Sequence, residues 1–173
     1  MPQAEDVIDD MSRPAPEASN GARWHLISDA VMGGRSAGEM RRMQVAGHAA
    51  MRLRGEVSLQ NNGGFLQMAL DLSADGGPVD ARGWGGIALD VFGNGAVYNL
   101  HLRTTDATRP WQSYRHSIEA PAQWRRVELP FAEFVAHRID VPLRTDRLRR
   151  IGVVAIGREF EADIAVRALR FIA

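Results

Sequence analysis

The segment FLQMALDL, residues 65–72, alternates apolar and polar side chains along most of its length. Successive side chains of a β-strand point to opposite faces of the sheet, so a period of two residues is typical of a half-buried strand. One face would carry Leu66, Met68, Leu70 and Leu72, and the other Gln67 and Asp71. We therefore predict a strand with one face in the core.

The same period of two residues recurs at 87–92 and 97–103. Turn-forming stretches rich in glycine, asparagine or proline separate the alternating segments, for example at 62–64, 75–78 and 93–95. Further strands are predicted at 24–28, 50–55, 56–60, 112–119, 125–129, 151–156 and 161–172. Many short strands separated by turns are typical of two sheets that bury one face each against the other. The fold class is therefore predicted to be all-β, an antiparallel β-sandwich or jelly roll.

Two segments depart from the simple alternation of apolar and polar residues. Residues 129–137 (LPFAEFVAH) predict a short helical turn that caps one end of the sandwich. Residues 161–172 fit either an alternating final strand or a helix rich in alanine and arginine. Local propensity favours the helix, whereas closure of the sandwich favours the strand. We predict a strand there.

The composition predicts one globular domain after a tail. Of the 173 residues, 45% are hydrophobic and 24% charged, as in ordinary globular proteins. Residues 1–21 are rich in proline, alanine and acidic residues and predict a flexible tail, so that residues 22–173 would form the sandwich domain. The tail lacks the apolar centre of a signal peptide, and the longest apolar stretch, at 151–156, is too short to span a membrane. We expect a cytoplasmic bacterial protein without membrane insertion.

Charge and residue usage exclude several function classes. The formal net charge is zero, from 21 basic and 21 acidic residues, which disfavours nucleic-acid binding. Every basic residue is arginine, and without lysine there is neither a Schiff base nor a P-loop. There is no cysteine, and the histidines lack the spacing of metal ligands. The sequence therefore indicates no cofactor and no transition-metal site, while a calcium site of carbonyl and Asp or Asn oxygens stays open.

One polar strand face is the best candidate for binding. Asn99, His101 and Arg103 would project together from the strand at 97–103. The next strand lies antiparallel, and its register decides whether Arg115 with Ser113, or Tyr114 with His116, stands opposite them. The candidate binding residues are Asn99, His101, Arg103, Tyr114 and Arg115. Amide, imidazole and guanidinium groups there could bind a sugar, a carboxylate or a peptide, and the alternative is a solvated outer face.

Residues 34–38 (GRSAG) match the pattern G-x-S-x-G, which in α/β-hydrolases exposes a nucleophilic serine on a strand-to-helix turn. No alternation of strands and helices surrounds Ser36, and the segment that follows it is a poor helix. The sequence therefore favours a structural loop over a serine hydrolase, and we expect no catalytic residues. Hydrolysis through Ser36 is retained as an unfavoured alternative.

Residues 24–36 (WHLISDAVMGGRS) followed by 55–65 (GEVSLQNNGGF) resemble the paired signature of the complex I intermediate-associated protein family. The resemblance continues at 93–104 and 129–134 and covers about residues 22–172. It implies a fold similar to galactose-binding-like and carbohydrate-binding jelly rolls. Eukaryotic members of the family assist assembly of respiratory complex I, and plant relatives act in chloroplast biogenesis. No catalytic residues are generally assigned to the family.

The resemblance implies a chaperone-like assembly factor or a ligand-binding module. Its partner would be a protein, such as a subunit of a respiratory or membrane complex, or a small carbohydrate-like ligand. This chain departs from the family pattern after Phe65, where LQMA replaces small residues and an arginine, and at Asn94, where the family has an aspartate. If that acid serves the shared function, the function of this chain is altered.

The two motif loops are expected to be mainly structural. Their residues are Asp29, Gly33, Gly34, Arg35, Ser36, Asn61, Asn62, Gly63 and Gly64. Paired glycines permit positive φ or close approach of two loops, and Asp or Asn side chains fix turns by bonding backbone amides. We expect the loops to pack together at one end of the sandwich, tied by Asp29 or Arg35. The alternative is that they form the rim of a recognition surface.

Overall fold

Two antiparallel six-stranded sheets pack face to face in the computed structural model, which describes residues 5–62 and 64–173. The strands are β1 (Glu5–Asp9), β2 (Trp24–Ser28), β3 (Ala37–Val45), β4 (His48–Val57), β5 (Phe65–Asp71), β6 (Gly86–Gly93), β7 (Val97–Thr104), β8 (Ser113–Glu119), β9 (Arg125–Pro130), β10 (Val135–His137), β11 (Leu148–Ile156) and β12 (Phe160–Ile172). Short 3-10 turns occur at Asp29–Met32, Gln60–Asn62, Phe131–Glu133 and Thr145–Arg147. The predicted all-β sandwich is confirmed.

The first sheet has the order β3-β4-β12-β6-β9, with β1 also paired to β12, and the second has the order β10-β8-β7-β11-β5-β2. Each strand that pairs with a neighbour in these sheets does so antiparallel. Within residues 5–62 and 64–173, no helical segment has the length and apolar character that a membrane span requires.

The core lies between the sheets and follows the period of two residues. On β5 the side chains of Leu66, Met68 and Leu70 are fully buried, as the alternation predicted. On β7 the fully buried side chains are Tyr98, Leu100 and Leu102. Because these residues face inward, the side chains between them on β5 and β7 must face away from the core.

Residues 5–9 are ordered by a sheet, although they fall within the flexible tail predicted for residues 1–21. Residues 5–9 form β1, which pairs antiparallel with β12. Ile8 is 2% exposed and joins the core, and Asp9 is fully buried. The Asp9 carboxylate accepts a hydrogen bond of 2.7 Å from the Trp24 indole N–H. The prediction was wrong because residues 5–9 are held by β12, a distant partner that their own composition does not reveal.

The C-terminal segment is the predicted strand, extended over Phe160–Ile172. It pairs with β4 on one side and β6 on the other, and its register shifts between Arg167 and Arg170. The predicted helical turn near 129–137 is a single 3-10 turn, Phe131–Glu133, which is followed by the edge strand β10. The strand predicted at 50–55 and the first two residues of the one predicted at 56–60 form a single strand, β4, whereas residues 58–60 lie outside it and Gln60 begins a 3-10 turn.

Candidate binding face

The outer face of the second sheet, meaning its side opposite the core, carries polar side chains from three adjacent strands. They are Asn99, His101 and Arg103 from β7, Ser113, Arg115 and Ser117 from β8, and His137 from β10. His101 pairs with Arg115, and Asn99 pairs with Ser117. The register is therefore the one that places Arg115 opposite the polar residues of β7. We call this side of the second sheet the outer face.

Tyr114 does not belong to the outer face, and its assignment as a binding residue is wrong. It pairs with Leu102, points into the core and is 1% exposed. Its hydroxyl donates a hydrogen bond of 2.7 Å to the carbonyl oxygen of Val141, and burial raises the pKa of the phenol. The register of β8 against β7 excludes Tyr114, because neighbours along a strand face opposite sides.

Arg103 lies on the outer face, but its guanidinium is used by the protein itself. Nη1 donates to the carbonyl oxygens of Arg109, Pro110 and Gln112, at 3.0, 3.2 and 3.0 Å, and Nη2 donates to that of Ala107, at 3.0 Å. These bonds fix the loop between β7 and β8. Arg103 is therefore a structural residue of that loop and has little remaining capacity to bind a ligand.

His101 forms the buried floor of the outer face. The residue is 8% exposed, and its Nε2 has no hydrogen-bond partner among the described residues. Burial, reinforced by the positive charge of Arg115 and by His137, lowers the pKa of His101 from 6.5 to about 3. The imidazole is therefore neutral at physiological pH, because its cation would lose hydration without gaining a carboxylate.

Arg115 is a half-buried cation next to this floor. Its Nε donates a hydrogen bond of 2.9 Å to the Ser113 hydroxyl, and it forms no ion pair with another described residue. Burial and the nearby charge of Arg138 lower the pKa of Arg115. By contrast, Arg150 on β11 of the same sheet is paired with Asp71 at 2.8 Å.

Asn99 and Gln67 supply amide groups to the same face. Asn99 is half-buried, and its side-chain amide forms no hydrogen bond with another described residue. The Gln67 amide lies over Gly152, where an added Cβ would overlap it. Gly152 pairs with His101, so the glutamine reaches the centre of the face. Alternation along β5 places Gln67 on the polar side of its strand, but Gln67 was not among the predicted binding residues. The available sequence signal was a glycine within the apolar strand β11.

The two motif loops are joined by Asp29, which is fully buried. Its Oδ1 accepts from the Ser36 amide at 3.0 Å. Its Oδ2 accepts from the Ser36 hydroxyl, the Gly64 amide and the Phe65 amide, at 2.5, 2.5 and 3.2 Å. Burial tends to raise the pKa of Asp29, but these hydrogen bonds outweigh it, so the pKa is lowered. One carboxylate thus connects the first motif to the second.

The remaining residues of the two motif loops lie around Asp29 or next to it in the chain. Gly33 has φ 83° and ends the 3-10 turn, and Gly34 lies so close to Asp29 that a Cβ would overlap the carboxylate. The Asn61 amide donates to the Gly33 carbonyl oxygen at 3.2 Å. Asn62 is the last residue of the turn Gln60–Asn62, and Gly63 lies outside the described residues. Arg35 is exposed, and its side chain forms no hydrogen bond or ion pair with another described residue, so of the two residues expected to tie the loops it is Asp29 that does so.

The geometry at Ser36 differs from that of a nucleophilic serine. Ser36 is 6% exposed and lies between a 3-10 turn and strand β3. Its hydroxyl donates to Asp29 and accepts from the Ser58 amide at 2.8 Å, and it contacts no imidazole of the described chain. A nucleophile needs an exposed oxygen next to a base. Among the described residues no group of three histidine or acidic side chains could hold a metal ion.

The described fold is similar to solved carbohydrate-binding modules. The family 11 module of the cellulosomal cellulase Lic26A-Cel5E of Clostridium thermocellum has a TM-score of 0.74 at 14% identity, covering 98% of this chain and 94% of that one. The family 30 module of cellulosomal cellulase Cel9D-Cel44B of the same organism has a TM-score of 0.69 at 11% identity, covering 98% and 97%. At such low identity these similarities show the fold alone.

A third similar structure is the family 11 module from Clostridium thermocellum in complex with a β-1,3-1,4-mixed-linked tetrasaccharide, with a TM-score of 0.73, 15% identity and coverage of 98% and 95%. No curated protein sequence matches this chain. The family model described as complex I intermediate-associated protein 30 (CIA30) matches residues 14–165, which is most of the chain. On that match, the chain belongs to the complex I intermediate-associated protein 30 family.

Proposed function

We propose that this protein is a non-catalytic binding module of the assembly-factor type, which holds a protein partner on its outer face. Membership of a family named for complex I intermediates supports a protein partner, such as a subunit of a respiratory or membrane complex. The observation that carries the proposal is the half-buried Arg115 without a carboxylate partner among the described residues. It lies beside the unpartnered Nε2 of His101.

An arginine of this kind is unfavourable in the free protein. A cation that is partly withdrawn from water loses hydration, and an ion pair or hydrogen bonds normally compensate. The solvent-facing side of the first sheet shows such compensation, since Arg52 binds Asp163 at 2.7 Å and Arg167 binds Asp90 at 2.7 Å. The second sheet leaves Arg115 unneutralised, which is the arrangement expected of a surface whose counter-charge comes from a partner.

A carbohydrate ligand is the second candidate. The neighbouring folds are carbohydrate-binding modules, and Trp111, in the loop held by Arg103, is 54% exposed. Sugars commonly stack on exposed aromatic rings, and Trp111 offers one. Both tyrosines, Tyr98 and Tyr114, are in the core, so they offer no such ring to the outer face. We therefore rank a protein partner above a sugar.

Affinity capture from the native organism tests the proposal. The bait proteins are the wild type, Arg115→Gln and the matched control Arg41→Gln. Arg41 lies on the opposite sheet and likewise forms no ion pair with another described residue. We expect partners that wild type and Arg41→Gln capture to be lost with Arg115→Gln, while the thermal unfolding temperatures of all three agree. Equal capture by the two variants would contradict the proposal, and capture of glycans on an array in place of proteins would favour the second candidate.

A further inference from the structure

We propose that the outer face binds a carboxylate of an acidic, extended protein segment, with Arg115 as the residue that receives it. This inference rests on the proposed function and specifies the chemistry of the partner.

Arg115 is oriented for an incoming anion. The Ser113 hydroxyl holds Nε at 2.9 Å, which fixes the plane of the guanidinium. The two Nη groups form no hydrogen bond with another described residue and remain available. A planar fork of N–H donors matches the two oxygens of a carboxylate, and the resulting charge-assisted pair is among the stronger polar contacts.

The charges around Arg115 favour an anion. Arg138 comes directly after the last residue of β10, and neither Arg115 nor Arg138 forms an ion pair with another described residue. Asp71, on the same face, is bound by Arg150. Glu119 lies four residues along β8 from Arg115, roughly 13 Å away at strand spacing. Each of these carboxylates is either paired or distant, so the positive charge is uncompensated locally.

The floor beneath Arg115 strengthens an ion pair formed there. His101 is buried and neutral, so it neither repels the cation nor competes for the anion. A half-buried position also lowers the effective dielectric constant compared with open solvent, and this increases the attraction between opposite charges. An anion at Arg115 would therefore be held more firmly than at an exposed arginine such as Arg41.

The strand next to Arg115 favours a peptide as the carrier of the carboxylate. β10 is the edge of the second sheet, and its residue Val135 pairs with Arg115 and is 68% exposed. An edge strand has unpaired backbone groups that an extended segment can bond, and an exposed apolar side chain adds contact area. A segment that follows β10 would bring its acidic side chains to Arg115 and Arg138.

The test measures binding of fluorescein-labelled hexaglutamate by fluorescence anisotropy at low salt. Hexaglutamine is the uncharged control, and a galacturonate hexamer is the sugar acid that carries the same chemical group. We expect hexaglutamate to bind the wild type and Arg41→Gln equally, about 10-fold more weakly to Arg115→Gln, and with intermediate strength to Arg115→Lys, which keeps the charge but loses the fork. Arg138→Gln changes an exposed residue and should weaken binding of hexaglutamate by about 3-fold. This variant replaces Arg115→Gln in the test if Arg115→Gln does not fold.

Three results would overturn the inference: equal affinity for Arg115→Gln and Arg41→Gln, equal binding of hexaglutamine, or binding of the galacturonate hexamer alone. Loss of cellular partners in Arg115→Gln together with no binding of hexaglutamate would leave the proposed function standing and reject the acidic segment. Capture of partners that is insensitive to Arg115 would reject the proposed function itself, whatever hexaglutamate does.

Discussion

Replacing Asp29 with asparagine tests whether the two motif loops have a mainly structural role. The carboxylate accepts four hydrogen bonds, from the amide and hydroxyl of Ser36 and from the amides of Gly64 and Phe65. Asparagine has nearly the same shape but only one acceptor oxygen. If that oxygen takes the place of Oδ2, the new NH₂ group faces the Ser36 amide, and two buried donors then point at each other.

The expected loss follows from these contacts. A hydrogen bond to a charged group contributes about 1.5–3 kcal/mol, and an orphaned buried donor costs about 1–3 kcal/mol. Asp29→Asn loses at least one such bond, weakens the others and orphans the Ser36 amide, so we expect about 3–5 kcal/mol of destabilisation. That is a large part of the about 5–15 kcal/mol typical of a folded domain.

Urea unfolding followed by tryptophan fluorescence measures this loss. The matched control is Asp75→Asn, because Asp75 also bonds a serine hydroxyl and a backbone amide but is exposed. The control should leave the free energy of unfolding nearly unchanged. A loss below about 1 kcal/mol for Asp29→Asn would refute the structural reading, since that is the effect of an ordinary surface change. A folded Asp29→Asn protein that no longer captures its partner would instead support a recognition rim.

Three further predictions concern His101, Arg103 and Ser36. Because the pKa of His101 is about 3 in the folded chain and 6.5 when unperturbed, the unfolded state binds more protons below pH 6.5. Lowering the pH from 8 to 5 should therefore reduce the free energy of unfolding in urea by about 2 kcal/mol more for the wild type than for His101→Gln. An NMR titration of the His101 imidazole with a midpoint near 6.5 would contradict this. Arg103→Gln should make the loop between β7 and β8 more mobile and increase the rate of chymotrypsin cleavage after Trp111 at least several-fold. An unchanged cleavage rate would show that the four contacts with backbone carbonyls do not hold this loop. A fluorophosphonate probe should leave Ser36 unlabelled in the native protein, and labelling there would revive the hydrolase alternative.

Periodicity alone was sufficient to predict much of the sandwich. β5 and β7 alternate because one face of each packs in the core, and that physical cause is local to the strand. β1 was missed because its stability comes from β12, more than 150 residues away in the chain. An acidic segment of this kind resembles a tail until its partner strand is known.

The candidate binding face could be predicted in outline from the sequence, but the contacts of its individual residues could not. Asn99, His101 and Arg103 were placed on one face correctly because alternation fixes direction. Tyr114 was misplaced because the register between two strands depends on the whole sheet. The role of Arg103 was also hidden, since its partners are backbone carbonyls of a loop, which carry no sequence signal.

The most direct test of the central claim is site-specific photo-crosslinking in the native organism. A photoreactive amino acid is placed at Ser117, which is exposed on the outer face beside Asn99, and in a second protein at Glu128, which is exposed on the opposite sheet. We expect a discrete crosslinked partner from position 117 that disappears when Arg115→Gln is added, and none from position 128. Adducts from position 128 with none from position 117 would place the partner on the first sheet and would contradict binding at the outer face.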